Sequence, residues 1–195
     1  MSLSIIVLAA GKGSRMKSPT PKVFHEVGNK PMINHVLDIA FDLKPKIIST
    51  VISENLPEHK KSINNKYPSV KFVVQKKRNG TADAVKIALK KIHNIKTKNT
   101  LVLYGDTPLI EKKTIQRAIK HYSNKSLDLC VLAMKPDNDN HAYGRLFFEK
   151  KKLIKIIKKI EVMENNTQNN SLFNSGMMIF KTKKLLEYIG NIKNL

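Results

Sequence analysis

The chain has 195 residues, 41% of them hydrophobic, so it can bury a core of its own, and wholesale disorder is excluded. No apolar run reaches the ~18 residues of a membrane span and no signal-peptide pattern opens the chain, which predicts one soluble, cytoplasmic domain over 1–195 with no membrane partner. The net charge of +21 suggests a polyanion, while the single cysteine, Cys130, rules out an internal disulfide and no Cys/His cluster has zinc spacing.

In chain order, Ser4–Leu8, apolar from Ile5 on, predicts a buried strand, followed by a glycine-bearing loop. Pro31–Ala40 has helical spacing, with Pro31 suited to the first turn. Ile47–Ile52 and Val70–Val74 are strand-like, Thr81–Ile92 is helical, and Thr100–Tyr104 is a strand running into Gly105-Asp106. Glu111–Tyr122 is helical again. Alternation of this kind predicts an α/β fold, a mostly parallel, doubly wound, Rossmann-like sheet with helices on both faces. From about Leu127 the texture changes. Strand-like pieces at Leu127–Met134, Gly144–Glu149, Leu153–Ile157 and Gly176–Phe180 are separated by polar turns, which predicts a mixed, antiparallel extension of the sheet. Cys130 falls within the first of these and reads as a buried structural thiol. Asn165–Asn170 reads as a polar loop, and Lys181–Leu195 as an amphipathic helix.

The chemistry begins where the first strand ends, at Leu8-Ala9-Ala10-Gly11-Lys12-Gly13-Ser14-Arg15-Met16, followed by Pro21-Lys22. Small residues in a strand-to-loop turn let backbone N–H groups approach phosphates, and Arg15 and Lys22 supply countercharge. Met16 stands where a dinucleotide fingerprint needs its third glycine, and Ile6 where a Walker loop needs its first. The glycines alone fit an ordinary strand-to-helix turn equally well. Asp106 follows a strongly apolar strand and would sit at its carboxyl end, where open α/β sheets bind ligands. A carboxylate there suits Mg²⁺; an Asp before Thr107-Pro108 also suits a turn cap. The six histidines have no nucleophile partner at recognisable spacing and read as structural or surface residues.

Taken together, Leu8-Ala9-Ala10-Gly11-x-Gly13-x-Arg15-Met16, Pro21-Lys22, Gln75 five residues before Gly80-Thr81, Tyr104-Gly105-Asp106, Tyr143-Gly144-Arg145 and Asn174-Ser175-Gly176 form an ordered series. In order and spacing this series resembles the uridyltransferase domain of the bacterial bifunctional N-acetylglucosamine-1-phosphate uridyltransferase/glucosamine-1-phosphate acetyltransferases, within the sugar-nucleotidyltransferase superfamily. The resemblance runs from about Ser4 to Phe180. It implies formation of UDP-N-acetylglucosamine and pyrophosphate from UTP and N-acetylglucosamine 1-phosphate, with Mg²⁺, for cell-wall and lipopolysaccharide precursors. It further implies that the backbone of Leu8 to Gly11 and the side chain of Gln75 hold the uracil, that Gly13 belongs to the phosphate loop, and that Gly80 and Thr81 close the base pocket. Tyr104 and Gly105 would line the nucleotide, Arg15 would meet the β- and γ-phosphates, Lys22 the attacking and α-phosphates, and Asp106 the metal. Gly144 and Asn174 would meet the sugar.

Three departures from the family pattern stand out. The hexapeptide-repeat acetyltransferase half has no counterpart in these 195 residues, the family's second metal-binding asparagine lies beyond the position of Leu195, and Lys158 stands where the family has a sugar-binding glutamate, with Glu161 the nearest carboxylate. Transfer to another sugar phosphate, or a UTP- or UDP-sugar-binding module with little turnover, are the competing readings. A nucleic-acid reader is the weakest: 32 of the 36 basic residues are Lys, scattered beside 18 Asn and 21 Ile as AT-rich codons favour, with no Trp and only four Arg.

Overall fold

A computed structural model describes residues 2–11, 13–53, 57–77, 79–92, 96–135, 143–150, 152–157 and 172–192. The chain divides into two compact units, one of Met1–Cys130 with Ile179–Leu195 and one of Val131–Met178.

In the first unit, β1 (Leu3–Leu8) lies between β2 (Ile47–Ile52) and β4 (Asn99–Tyr104), parallel to both, and β3 (Lys71–Val74) extends the sheet beyond β2, again parallel. All six residues of β1 and of β2 are buried, Ser4, Ser49 and Thr50 among them, as expected of predominantly apolar strands covered on both faces. On one face Ile6, Leu8 and Ala10 meet Ala84, Val85, Ala88, Leu89 and Ile92 of α3 (Thr81–Ile92) and Leu185 and Ile189 of α5 (Thr182–Gly190). Strand alternation turns Ile5 and Val7 the other way, and α1 (Met32–Asp42) packs on β1 with Ile33, Val36, Leu37 and Ala40 buried. Each fully buried Leu, Ile or Val contributes about 1.5–3 kcal/mol of transfer free energy. α4 (Lys112–Asn124) buries Ile115 and Tyr122, and the Tyr122 hydroxyl donates to Asn99 Oδ1 at 2.8 Å. Burial, with Asp128 and Cys130 adding to it, pushes the Tyr122 phenol up to about 12.

A row of hydroxyls, buried at Ser4 and Thr100, crosses this apolar sheet. Ser4 and Thr100, register partners on β1 and β4, share a hydrogen bond of 3.0 Å; Thr97 donates to Ser4 at 3.0 Å, and Thr100 pairs with Thr182 at 2.9 Å. The row needs all three segments to satisfy its members.

In the second unit, β6 (Arg145–Glu149) and β7 (Lys152–Ile157) form an antiparallel pair with a register shift between Phe147 and Phe148. Arg145 pairs antiparallel with Phe173, and its guanidinium lies 5.3 Å from that ring's centroid. The chain passes between the units along β5 (Leu129–Met134) and β8 (Phe173–Lys181). A parallel sheet flanked by helices and an antiparallel part after residue 127 are both as expected.

Four details differ from the sequence expectation. Residues Pro57–Lys66 form α2, which sequence patterning missed because Ile63 is its only buried residue. Pro31 precedes the helix in an extended conformation (φ −52, ψ 137) instead of occupying its first turn. Cys130 is half-buried, since the strand that carries it exposes Leu129 and buries none of its residues completely. The last helix ends at Gly190, where Asn191 N–H bonds the Tyr188 carbonyl. Asn165–Asn170, Lys158, Glu161, His93 and His141 lie outside the described residues.

Candidate active site

Three strands of the first unit deliver their carboxyl ends to one edge. Beyond β1 the Ala9 N–H bonds the Val51 carbonyl at 2.8 Å, beyond β3 the Gln75 N–H bonds Ile52 at 2.9 Å, and beyond β4 the Gly105 N–H bonds Leu8 at 2.9 Å. The parallel ladder thus carries on for one residue past each strand and fixes three loops against each other. Between them opens a cleft of about 510 Å³. Leu8, Ala9, Ala10, Gly11, Gly13, Arg15, Lys22, Gln75, Gly80, Thr81, Tyr104 and Asp106 all line it. Gly105 lies beneath the wall: a Cβ there would come within 3.2 Å of the Leu8 carbonyl oxygen and 3.3 Å of the Ala9 methyl.

The charged pair on the cleft floor joins residues 84 positions apart. Lys22 Nζ donates to Asp106 Oδ2 at 2.8 Å, with the side chains 42% and 31% exposed. Lys22 is held there by the short helical turn Lys22–Phe24, whose Val23 is buried. Gly13 packs directly on it, in the left-handed region at φ +60, so close that a Cβ would lie 2.7 Å from Lys22 Cβ. Thr107, not Asp106, caps the turn after β4, donating from Oγ1 to the Tyr104 carbonyl at 2.7 Å. The carboxylate of Asp106 is thereby left to face Lys22 and the cleft. Burial raises the Tyr104 phenol above its ordinary value; the Thr81 hydroxyl pulls against this and the Asp106 charge adds to it.

At the other end of the cleft Gln75 is 5% exposed, and its Nε2 donates to the Gly80 carbonyl at 3.0 Å and to Asp83 Oδ2 at 2.8 Å. Gly80 takes φ +92, a conformation that favours glycine, and its carbonyl also accepts the Ala84 N–H at 3.3 Å as α3 begins. Sequence reasoning did not find Asp83. The only signal was an acid in the first turn of a helix, which usually means no more than a favourable dipole interaction. Met16, Val23 and Ala84 also line the cleft unforeseen.

Two expected site residues lie in the second unit. The Asn174 N–H donates to the Gly144 carbonyl at 2.8 Å, and Asn174 Oδ1 accepts the Gly176 N–H at 2.8 Å. Among the histidines, His25 and His35 bond the backbone carbonyls of Thr20 and Val27, and His59 packs against Phe24 with centroids 3.9 Å apart and ring planes tilted by 42°.

The family model of the MobA-like NTP transferase domain matches residues 5–175, a span that takes in the whole of this cleft. The chain belongs to that family. This NTP transferase domain is 36% identical over 192 residues to the bifunctional protein GlmU of Buchnera aphidicola subsp. Baizongia pistaciae, covering 98% of the chain and 41% of the relative. It is likewise 36% identical over 191 residues to GlmU of Thermodesulfovibrio yellowstonii, and 35% over 189 residues to GlmU of a Wolbachia of Brugia malayi. The domain therefore spans less than half the length of these relatives. Among solved structures, a putative glucose-1-phosphate thymidylyltransferase from Bacillus anthracis superposes with a TM-score of 0.77 at 21% identity, over 98% of this chain and 76% of that one. The inositol-1-phosphate CTP transferase of T. maritima gives 0.72 at 17% identity, over 93% and 71%. At such identities the likeness is one of fold.

Proposed function

We propose that this NTP transferase domain is a sugar-1-phosphate uridyltransferase that joins UTP to N-acetylglucosamine 1-phosphate, releasing pyrophosphate, in the cytoplasm. The observation that carries the reading is that Arg15, Lys22, Asp106 and Gln75, far apart in sequence, line one cleft at the carboxyl edge of a parallel sheet. The identity to GlmU over nearly the whole chain supports it.

In this reading the backbone of Leu8 to Gly11 and the Gln75 amide take the uracil, Gly80 and Thr81 flank the base, and Tyr104 and Gly105 form the wall beside the ribose. Arg15 binds the β- and γ-phosphates at the mouth, and Gly13 sets the loop against Lys22. Gly144 and Asn174 remain the proposal for the N-acetyl sugar on their motif alone. A divalent metal fits the residues present in one specific way. The described residues hold no cluster of three or more His, Cys, Asp or Glu, so there is no protein cage. A single accessible carboxylate, Asp106, reaches the cleft, and Mg²⁺ characteristically takes one or two carboxylates, with phosphate and water oxygens completing its shell. Bound there by Asp106, it would supply charge neutralisation on the triphosphate.

The reaction needs no protein nucleophile. A phosphate oxygen of the sugar phosphate forms a bond to the α-phosphorus of UTP, the bond from that phosphorus to the β-bridging oxygen breaks, and the electron pair leaves with pyrophosphate. Lys22, tethered by Asp106, places an ammonium where the attacking and α-phosphate oxygens converge, offsetting their mutual repulsion. Arg15 stabilises charge building on the leaving group. Positioning and electrostatics of this kind suffice for phosphoryl-type transfer. The test is pyrophosphate release from UTP against a panel of sugar 1-phosphates. Turnover selective for N-acetylglucosamine 1-phosphate is expected; UTP binding without turnover on any of them would leave only a nucleotide-binding module.

A further inference from the structure

Gln75 is the buried amide of the cleft, and its orientation is not free. An amide offers an acceptor oxygen on one side and two donors on the other. Both groups packed against its nitrogen, the Gly80 carbonyl at 3.0 Å and the Asp83 carboxylate at 2.8 Å, can only accept. Turned over, the amide would set oxygen against oxygen twice, with Gln75 only 5% exposed and water unable to relieve the clash fully. The nitrogen is therefore fully spent, and Oε1, which accepts no hydrogen bond among the described residues, is the atom left for a ligand in the cleft that Gln75 lines.

We infer that Asp83, through Gln75, sets which pyrimidine the cleft accepts. It is a positioning residue that does not touch the base. The inference rests on the uridyltransferase reading above and deepens it. Uracil and cytosine have the same outline, so shape hardly separates them; they differ in that uracil N3 carries a proton and cytosine N3 a lone pair. A fixed Oε1 accepts from the first and repels the second. Of the two groups that hold the amide, the Gly80 carbonyl is backbone and would hold it in any variant. Asp83 contributes the shorter, charge-assisted bond, the stronger type of the two. Without it the amide has one anchor, and rotation to present Nε2 to cytosine becomes accessible.

The experiment is calorimetric titration of the full chain with UTP and with CTP, each with Mg²⁺, for the wild type, Asp83→Ala and Asp83→Ser. Serine suits a helix's first turn but is too short to reach Gln75, so it carries the test where alanine fails to fold. The wild type should prefer UTP, and both variants should narrow the UTP-to-CTP affinity ratio by about tenfold, the scale of one charge-assisted hydrogen bond. A purely structural Asp83 would weaken both nucleotides equally; a ratio unchanged from a selective wild type overturns the inference. A wild type with no preference for UTP overturns the uracil reading itself, which is a distinguishable failure.

Discussion

Two glycines of the loop after β1, two residues apart, should respond to alanine in opposite ways. At Gly13 the backbone is left-handed (φ +60), and the added Cβ would lie 2.7 Å from Lys22 Cβ and 3.3 Å from Lys22 N. These are atoms tied to the main chain and cannot swing aside, so reaching ordinary contact near 3.4 Å needs a shift of about 0.7 Å between the two segments. The left-handed conformation costs about 1–2 kcal/mol for a residue with a Cβ. Overpacking adds roughly 1–3 kcal/mol. A destabilisation of about 2–5 kcal/mol lowers the melting temperature by roughly 4–20 °C in a chain of this size. The same shift moves Lys22 off its 2.8 Å contact with Asp106, and ångström-scale misplacement of a positioning group costs up to about 100-fold in rate. At Gly11 φ is not positive and a Cβ would meet nothing within 4 Å. Gly11→Ala should leave the melting temperature unchanged within about 1 °C while weakening nucleotide binding, because the methyl enters cleft space. Differential scanning fluorimetry with calorimetric UTP titration reads both effects. Gly13→Ala with wild-type melting temperature and turnover would refute the packing argument, and a destabilised Gly11→Ala would refute its counterpart.

Asp106→Asn should lower the melting temperature by no more than about 3 °C, since an accessible ion pair is worth at most about 1 kcal/mol, yet abolish the dependence of UTP binding on Mg²⁺; retained Mg²⁺ dependence would assign Asp106 to structure alone. At Asp38 burial works to raise the carboxyl, but hydrogen bonds from Lys30 and Tyr67 with the charges of Lys30 and Lys66 outweigh it and hold the group below its ordinary 3.8. A depressed folded value means stability that is complete above about pH 4 and lost as pH falls through the lower folded value. Asp38→Asn should therefore flatten the acid limb of a stability-versus-pH curve, and an unaltered limb would count against the network. Burial pushes the Cys130 thiol up, so Ellman's reagent at pH 8 should label the native protein at least about tenfold more slowly than the unfolded chain; equal rates would show the thiol to be open.

Much of this architecture could be read from local pattern. The helix Thr81–Ile92 is where the periodicity of Ala84, Val85, Ala88, Leu89 and Ile92 puts it, because that stripe is the face that seals the sheet. The strand Ile47–Ile52 was equally legible, four aliphatic residues and a Thr outweighing Ser49. α2 was not, because a helix anchored by Ile63 alone carries no stripe. Within the cleft, the family resemblance carried by the motif series named most of the lining, while the pairings escaped. Lys22 and Asp106 each invite a separate ligand when read in isolation, and only the fold shows that they meet. Asp83 escaped because its partner lies eight residues earlier, across the turn from β3 into α3, and no helical or strand period relates the two.

The hydroxyl row through the first unit has a consequence for how this sheet assembles. Apart from Ser4, Ser49, Thr50, Asn99 and Thr100, β1, β2 and β4 are apolar, so sliding one strand along its neighbour would mostly exchange one apolar contact for another at little loss. Between β1 and β4 that indifference is removed. Shifting β4 by one residue would set Ser4 against Leu101 or Asn99, and the buried hydroxyls of Ser4 and Thr100 would lose each other, at about 1–3 kcal/mol for any group thereby left without a partner. β2 has no such device towards its neighbours: Ser49 Oγ and Thr50 Oγ1 are buried and find no partner among the described residues. The β1–β4 seam, which sets Leu8 opposite Tyr104 and so aligns the two loops that frame the cleft, is thus the alignment guarded against slippage. Because Thr182 closes the row, the guard is complete only once the last helix has docked.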